Sequence, residues 1–226
     1  MLKLLVQSEP AQDFVRTMGT AVGRKTFLGD HARHPAVMNF VTASHTAMEA
    51  AVEKLKRLAD DPTRSEPEKH DAARTLANRL IATLESSHGS MIGTATKMVR
   101  EASEAVELQF APNPIRAGLE SEIRIWVREE AKAGNVAAIR KRLEQNPEVA
   151  AVIYHSPDFL LGLAEEVHAN FKTDAVEKHA PTQYKAIEES LAIEKMAEHY
   201  PMVIKSVRMS FFNNAIADKA KLRVEV

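Results

Sequence analysis

Two long apolar stripes, separated by one sharp break, constrain this chain more than any other feature. Val37, Val41, Ser44, Met48, Ala51, Leu55 and Leu58 follow one another at alternating four- and three-residue steps, which keeps them on one face of a helix. The run Asp60-Asp61-Pro62-Thr63-Arg64-Ser65-Glu66-Pro67 ends that stripe. A second one then reads Ala73, Ala77, Leu80, Leu84, Ser87, Met91, Thr94, Met98 and Ala105. The spacing predicts an αα-hairpin whose narrow seam of small residues, leucines and methionines wants a partner helix. Gly89 and Gly93 interrupt the second stripe, and each costs about 1 kcal/mol relative to alanine inside a helix. The seam resumes at Met91 and Met98, so a nearly continuous helix is expected there.

The rest of the chain also reads as helical. Residues 1–35 carry Phe14, Val15 and Met18 on one short helical face. Gly19, Gly23 and Gly29 break the remainder, and Arg24, Lys25 and Arg33 make it mildly basic. This segment reads as an N-terminal arm, with Pro35 suited to the first turn of the first long helix. Ala111-Pro112-Asn113-Pro114 bars a helix from crossing it and is the expected boundary between units. Beyond it, Ile123, Trp126, Val127 and Ala131 form the buried face of a helix from about 119 to 133, which Gly134 ends while Asn135 can cap the next. Val136, Ile139 and Leu143 lead to Asn146-Pro147, and a mostly apolar helix follows from about 148 to 154. Ser156-Pro157-Asp158 is a helix start, with Phe159, Leu160, Leu163, Val167 and Phe171 as the next face. Ala180-Pro181 starts another, which Pro201 breaks. Arg223-Val224-Glu225-Val226 alternates like a short strand. The expected architecture is all-α: an arm (1–35), a long antiparallel hairpin (36–111), a compact group of shorter helices (115–212) and a tail (213–226).

Composition narrows the function. Net charge is -1 over 226 residues, so no overall field draws the chain to nucleic acid or an anionic membrane. With no cysteine, disulfides, thiolate metal sites and thiol nucleophiles are excluded. No window approaches the roughly 20 apolar residues of a membrane span. The stretch Met1-Leu2-Lys3-Leu4-Leu5-Val6-Gln7, with Glu9 and Pro10 close behind it, is too short for a signal peptide. No phosphate-cradling glycine loop and no Gly-x-Ser-x-Gly elbow is present. The nine histidines raise the question of a metal. The candidate set is His45 and Glu49, one turn apart, with the lone Glu165-x-x-His168; Asp30, His31 and His34 are close in a loop. A di-iron bundle needs a second Glu-x-x-His, and none occurs, so solvated or locally bonded histidines are favoured and no metal or other cofactor is expected. Lys205, Arg208, Lys219, Lys221 and Arg223 with Phe211 and Phe212 could touch nucleic acid or a negative protein surface; a charged tail after a buried aromatic pair is the favoured reading.

Gly134-Asn135-Val136-Ala137-Ala138-Ile139, Val149-Ala150-Ala151-Val152-Ile153 and Ser156-Pro157-Asp158-Phe159-Leu160-Leu161-Gly162-Leu163 together resemble a stretch of the helical accessory proteins that tailed bacteriophages carry among their particle genes. The resemblance covers about 30 residues, Gly134 to Leu163. It implies a non-enzymatic virion component of the head, connector or tail, assembled in the host cytoplasm. Its partners would be further copies of itself and other particle or scaffold proteins, rather than a membrane or, preferentially, nucleic acid. Asn146-Pro147 and Ser156-Pro157 also resemble the short Asn-Pro helices of chaperone-adaptor modules, which cradle apolar peptides. The alternatives to an assembly protein are therefore a metal-assisted helical enzyme and a peptide-binding adaptor. The residues expected to make protein contacts are Met48, Leu55, Leu80, Leu84, Met91, Met98, Phe211 and Phe212, with the hairpin seam covered either by another chain or by the C-terminal helices of the same one.

Overall fold

The computed structural model describes residues 4–30 and 32–221, and among them the chain is helical with no strand. In order the helices are α1 (Glu9–Met18), α2 (Ala21–Leu28), α3 (Met38–Asp60), α4 (Glu66–Gln109), α5 (Ala117–Lys132), α6 (Val136–Gln145), α7 (Pro147–His155), α8 (Asp158–Leu161), α9 (Glu165–His179), α10 (Pro181–Ala197), α11 (Tyr200–Phe211) and α12 (Asn214–Ala217). No described helix is long and apolar enough to cross a membrane. Arg223–Val226, expected to alternate like a strand, lies outside the described residues.

The break between the two long stripes has a local cause. Asp61 Oδ1 accepts from the Thr63 backbone N–H at 2.9 Å, closing a tight turn that competes with helix. Glu68 then reaches back to Ser65, as in one half of a capping box: its Oε2 accepts from the Ser65 backbone N–H at 2.9 Å and from its hydroxyl at 2.7 Å, so the Ser65 N–H at the start of α4 is satisfied. From there α4 runs 44 residues without a break, straight through Gly89 and Gly93. No atom lies within 4 Å of where a Cβ would sit on either glycine, so neither admits a neighbouring backbone.

Contacts group the chain into two compact units, one within Met1–Ala95 and Leu191–Val226 and the other spanning Thr96–Ser190. The divisions fall inside α4 and α10, whereas the proline-rich segment at 111–114 was the expected boundary. Pro112 and Pro114 do stop a helix, but the α4 turns before them carry Val106 and Phe110 into the core of the second unit.

In the first unit, the segment expected to be an arm is part of the core. Ala11, Val15 and Met18 share one face of α1 and are buried, as is Leu28 at the end of α2, and α1 packs on α2, α3 and α11. Arg24 is buried with them; its guanidinium donates to the Met18 carbonyl at 3.1 Å and pairs with Glu49 at 3.2 Å. Tyr200, fully buried, donates to the Leu28 carbonyl at 3.0 Å and stacks on His88. Burial pushes its hydroxyl up to about 12, so it stays a neutral donor. The Lys69 ammonium, also buried, reaches from α4 to the Ala59 carbonyl of α3 at 3.1 Å.

The second unit is built on Val106, Phe110, Val127, Ile139, Leu143, Ile153, Leu161 and Phe171. The helix expected to carry Phe159 through Phe171 on one face is instead two helices. Gly162, at φ 65°, closes α8 in the left-handed region that only glycine adopts freely. The break turns Leu161 inward and leaves Phe159 74% exposed and Leu160 38% exposed, so those two are not the buried residues the spacing predicted. Two expected caps also differ. Asn135 donates to Glu130 at 2.7 Å rather than capping α6. Pro157, not Ser156, precedes α8, and the buried Ser156 hydroxyl has no hydrogen-bond partner.

The seam residues Met48, Leu55, Leu80, Leu84 and Met91 are buried within the chain. Leu84→Ala should therefore destabilise the fold by about 2–5 kcal/mol. Leu84→Asp should lose helicity and melt far lower, followed by circular dichroism; a variant that keeps its melting curve and changes only its sedimentation would mean the seam meets another chain instead.

Candidate functional site

The second unit holds an open groove, half of whose lining residues are apolar, between α5 on one side and the ends of α6 and α7 on the other. Leu119, Glu122, Ile123 and Trp126 lie at steps of three, one and three on α5, one face of a helix. Arg142, Asn146, Glu148 and Val149 form the facing wall, and the enclosed space is about 490 Å³. A smaller hollow of about 200 Å³ adjoins it, sharing Leu119, Ile123 and Glu148 and reaching Asn113 and Arg116. Leu119 is 51% exposed, and Trp126, the single tryptophan, is half-buried. Large apolar side chains left at the surface beside a polar rim mark contact sites.

Local chemistry sets the α5 wall. The Asn113 side chain accepts from the Ile115 N–H at 3.0 Å, and the Asn113 N–H donates to Glu120 at 2.8 Å, which fixes the start of α5 beyond the prolines. Arg116 pairs with Glu148 across the groove's end at 3.0 Å. Arg128 donates to the Leu160 carbonyl at 3.0 Å. The α6 end of the facing wall is shaped by Asn146-Pro147: Asn146 leaves α6 in an extended conformation and Pro147 opens α7.

Histidines hold that facing wall in place. His179 of α9 donates from Nε2 to the Leu143 carbonyl at 2.7 Å, in the last turn of α6. His168 of α9 donates from Nε2 to the Ile153 carbonyl at 2.8 Å, in the last turn of α7. His155 donates from Nδ1 to the carbonyl of Phe110, just past α4, at 3.2 Å. In the first unit His45 does the same for Gly29, just past α2, at 2.9 Å. Each acceptor is at a helix C-terminus, where the last four carbonyls have no intrahelical partner.

Electrostatics divides the rim. Arg116 is paired with Glu148, and Glu120 lies near Arg124 at 3.8 Å and His155 at 3.6 Å. Glu122 on α5 and Arg142 on α6 have no ion pair among the described residues. One unpaired acid and one unpaired base thus stand on opposite walls of an apolar cleft.

The residues expected to make contacts lie elsewhere. Met48, Leu55, Leu80, Leu84, Met91, Phe211 and Phe212 are buried in the first unit, and Met98 is half-buried, so burial leaves the first seven almost no surface to offer. The four residues of the metal alternative are not brought together either. His45 is held by Gly29 and Glu49 pairs with Arg24 in the first unit, whereas His168 is held by Ile153 in the second. No group of three or more His, Asp or Glu able to hold a metal occurs among the described residues, and His31 lies outside them. Trp126 and Ile123 were expected on the buried face of their helix, and they pack against the core only in part. The signal for this is that α5 carries Leu119, Ile123, Ile125, Trp126 and Val127, more apolar residues than one face can hold.

No family model, curated protein or solved structure matches this chain.

If the histidine contacts hold the groove wall, His168→Phe should keep the helical spectrum but strand the Ile153 carbonyl. The expected loss is about 1–3 kcal/mol in urea denaturation; an unchanged midpoint would show that the contact carries no stability.

Proposed function

We propose that this protein is a non-enzymatic assembly protein acting through helix-mediated contacts, and that the Trp126 groove is its contact surface. The observation that carries the reading is the groove's character: open, apolar at Leu119, Ile123, Trp126 and Val149, and rimmed by one unpaired charge of each sign. Its α6–α7 wall, Arg142 to Val149, falls inside Gly134–Leu163, the segment that resembles phage particle proteins, and that supports a component of a tailed-phage head, connector or tail.

The occupant we propose is a second copy of this chain. A two-fold interface must be self-complementary, with residue i meeting j and j meeting i. Two copies meeting groove to groove would set Arg142 of each against Glu122 of the other, over a shared apolar centre at Leu119 and Trp126. Hot spots favour such buried aromatic and arginine anchors. α3 and the first half of α4 form, in this reading, an antiparallel hairpin that serves as the scaffold; the five-residue connection 61–65 and the bond from Lys69 to Ala59 support it.

Sedimentation velocity tests the proposal. The wild-type chain should form a defined oligomer. Arg142→Glu and Glu122→Arg should each weaken association about tenfold or more, and the double exchange should restore it. Trp126→Ala should weaken it without altering the helical spectrum. A monomer that instead captures apolar peptides in this groove would replace the assembly reading with the adaptor one. A stoichiometric bound transition metal in the purified protein would favour the enzyme.

A further inference from the structure

The first unit carries a second hollow, of about 450 Å³, where the end of α2, the segment after it and the α10–α11 junction meet. Its charge is one-sided. Lys25 comes from α2, Arg33 from the connecting segment and Lys195 from α10, joined by His34 and His199. Among the described residues one carboxylate lines it, that of Asp30, and its charge is already engaged: Oδ2 lies 3.4 Å from the Lys25 ammonium and Oδ1 accepts from the Ala32 N–H at 3.1 Å. Among the described residues neither Arg33 nor Lys195 has an ion pair, and the buried Nδ1 of His34 has no hydrogen-bond partner there.

A lysine in the last turn of a helix commonly offsets the helix dipole, and that accounts for part of Lys25 and Lys195. It does not account for Arg33, which belongs to no helix, nor for Arg33 and Lys195 reaching one concavity from separate segments with no acid among the described residues paired to either. The backbone is shaped to allow the approach. Gly29 sits at φ 93°, and a Cβ there would fall 2.0 Å from the Met196 sulfur, so only glycine lets the segment after α2 close against α10. His45 holds the Gly29 carbonyl from the other side at 2.9 Å.

We infer that this hollow binds the phosphoryl group of a small anionic ligand, with Arg33 and Lys195 supplying the unpaired charge and Lys25 a further cation that it shares with Asp30. Arginine suits phosphate because its planar fork can engage two oxygens, while lysine acts as a point charge. The volume lies within the roughly 300–1,000 Å³ of small-molecule sites. A concave site of that size suits a small phosphorylated compound better than an extended nucleic-acid strand, which needs a groove that tracks its backbone.

Titration calorimetry of the full chain with pyrophosphate, at an ionic strength of about 0.15 M to screen surface charge, tests the assignment. Saturable one-to-one binding is expected. Arg33→Gln and Lys195→Gln should each weaken it about tenfold, with unchanged melting curves, and Lys141→Gln on the other unit should leave it unchanged. Absence of saturable binding, or binding that survives the Arg33→Gln/Lys195→Gln double variant, would overturn the site. A single-stranded oligonucleotide that binds more tightly than pyrophosphate and is lost in the same variants would overturn the small-ligand assignment in favour of nucleic acid.

Discussion

The hydrogen bond from a histidine ring to the carbonyl at the end of a helix is the contact on which much of this structure depends. A chain of many short helices has many C-termini, and each leaves up to four carbonyls without an intrahelical partner. A buried carbonyl that lost such a partner would cost about 1–3 kcal/mol. His45, His155, His168 and His179 meet this need from 15 to 45 residues away. Because a carbonyl only accepts, each ring must carry its proton on the bonded nitrogen, which fixes the tautomer. His70 works in the other sense: its Nδ1 accepts from the Asn213 N–H at 3.0 Å, tying α4 to the start of α12.

These contacts link the fold to the groove. His179 and His168 both project from α9, and their acceptors end α6 and α7. One helix therefore sets the position of two others, and Arg142, Asn146, Glu148 and Val149 follow from that placement. The α5 wall is fixed separately, by the Asn113–Glu120 contact at its start and by Arg128 on Leu160. The apolar face between the walls remains open because α5 carries more large side chains than the core of the second unit takes up. Leu119 stands half exposed and Trp126, packed against that core, leaves part of its surface in the groove, and a surface of that kind is stabilised when another surface covers it.

Much of the helical content was legible in the residues. The alternating steps from Val37 to Leu58 and from Ala73 to Met98 mark the cores of α3 and α4, because burial of one face imposes that period. The stop at Asp60–Pro67 was equally plain, since turn-forming aspartate and proline act locally. The segment before Pro35 was misread as an arm because Gly19, Gly23 and Gly29 look like disruption. In the fold they punctuate two helices whose Val15, Met18 and Leu28 enter the core. The burial of Phe159 and Leu160 was misjudged for a related reason: Gly162 breaks the period after one turn. The groove was not legible, because a half-buried tryptophan and a buried one share the same spacing. Nor could the histidine contacts be found from spacing, since each joins positions set only by tertiary packing.

The central claim is that the groove around Trp126 meets a second copy of itself. Photocrosslinking tests it most directly, with a benzophenone amino acid in place of Trp126 and the products read by mass spectrometry of a mixture of isotopically light and heavy chains. Light–heavy crosslinks are expected that join position 126 of one chain to the α5 and α6–α7 walls of another. Crosslinks confined to single chains, or to surfaces outside those walls, would contradict it.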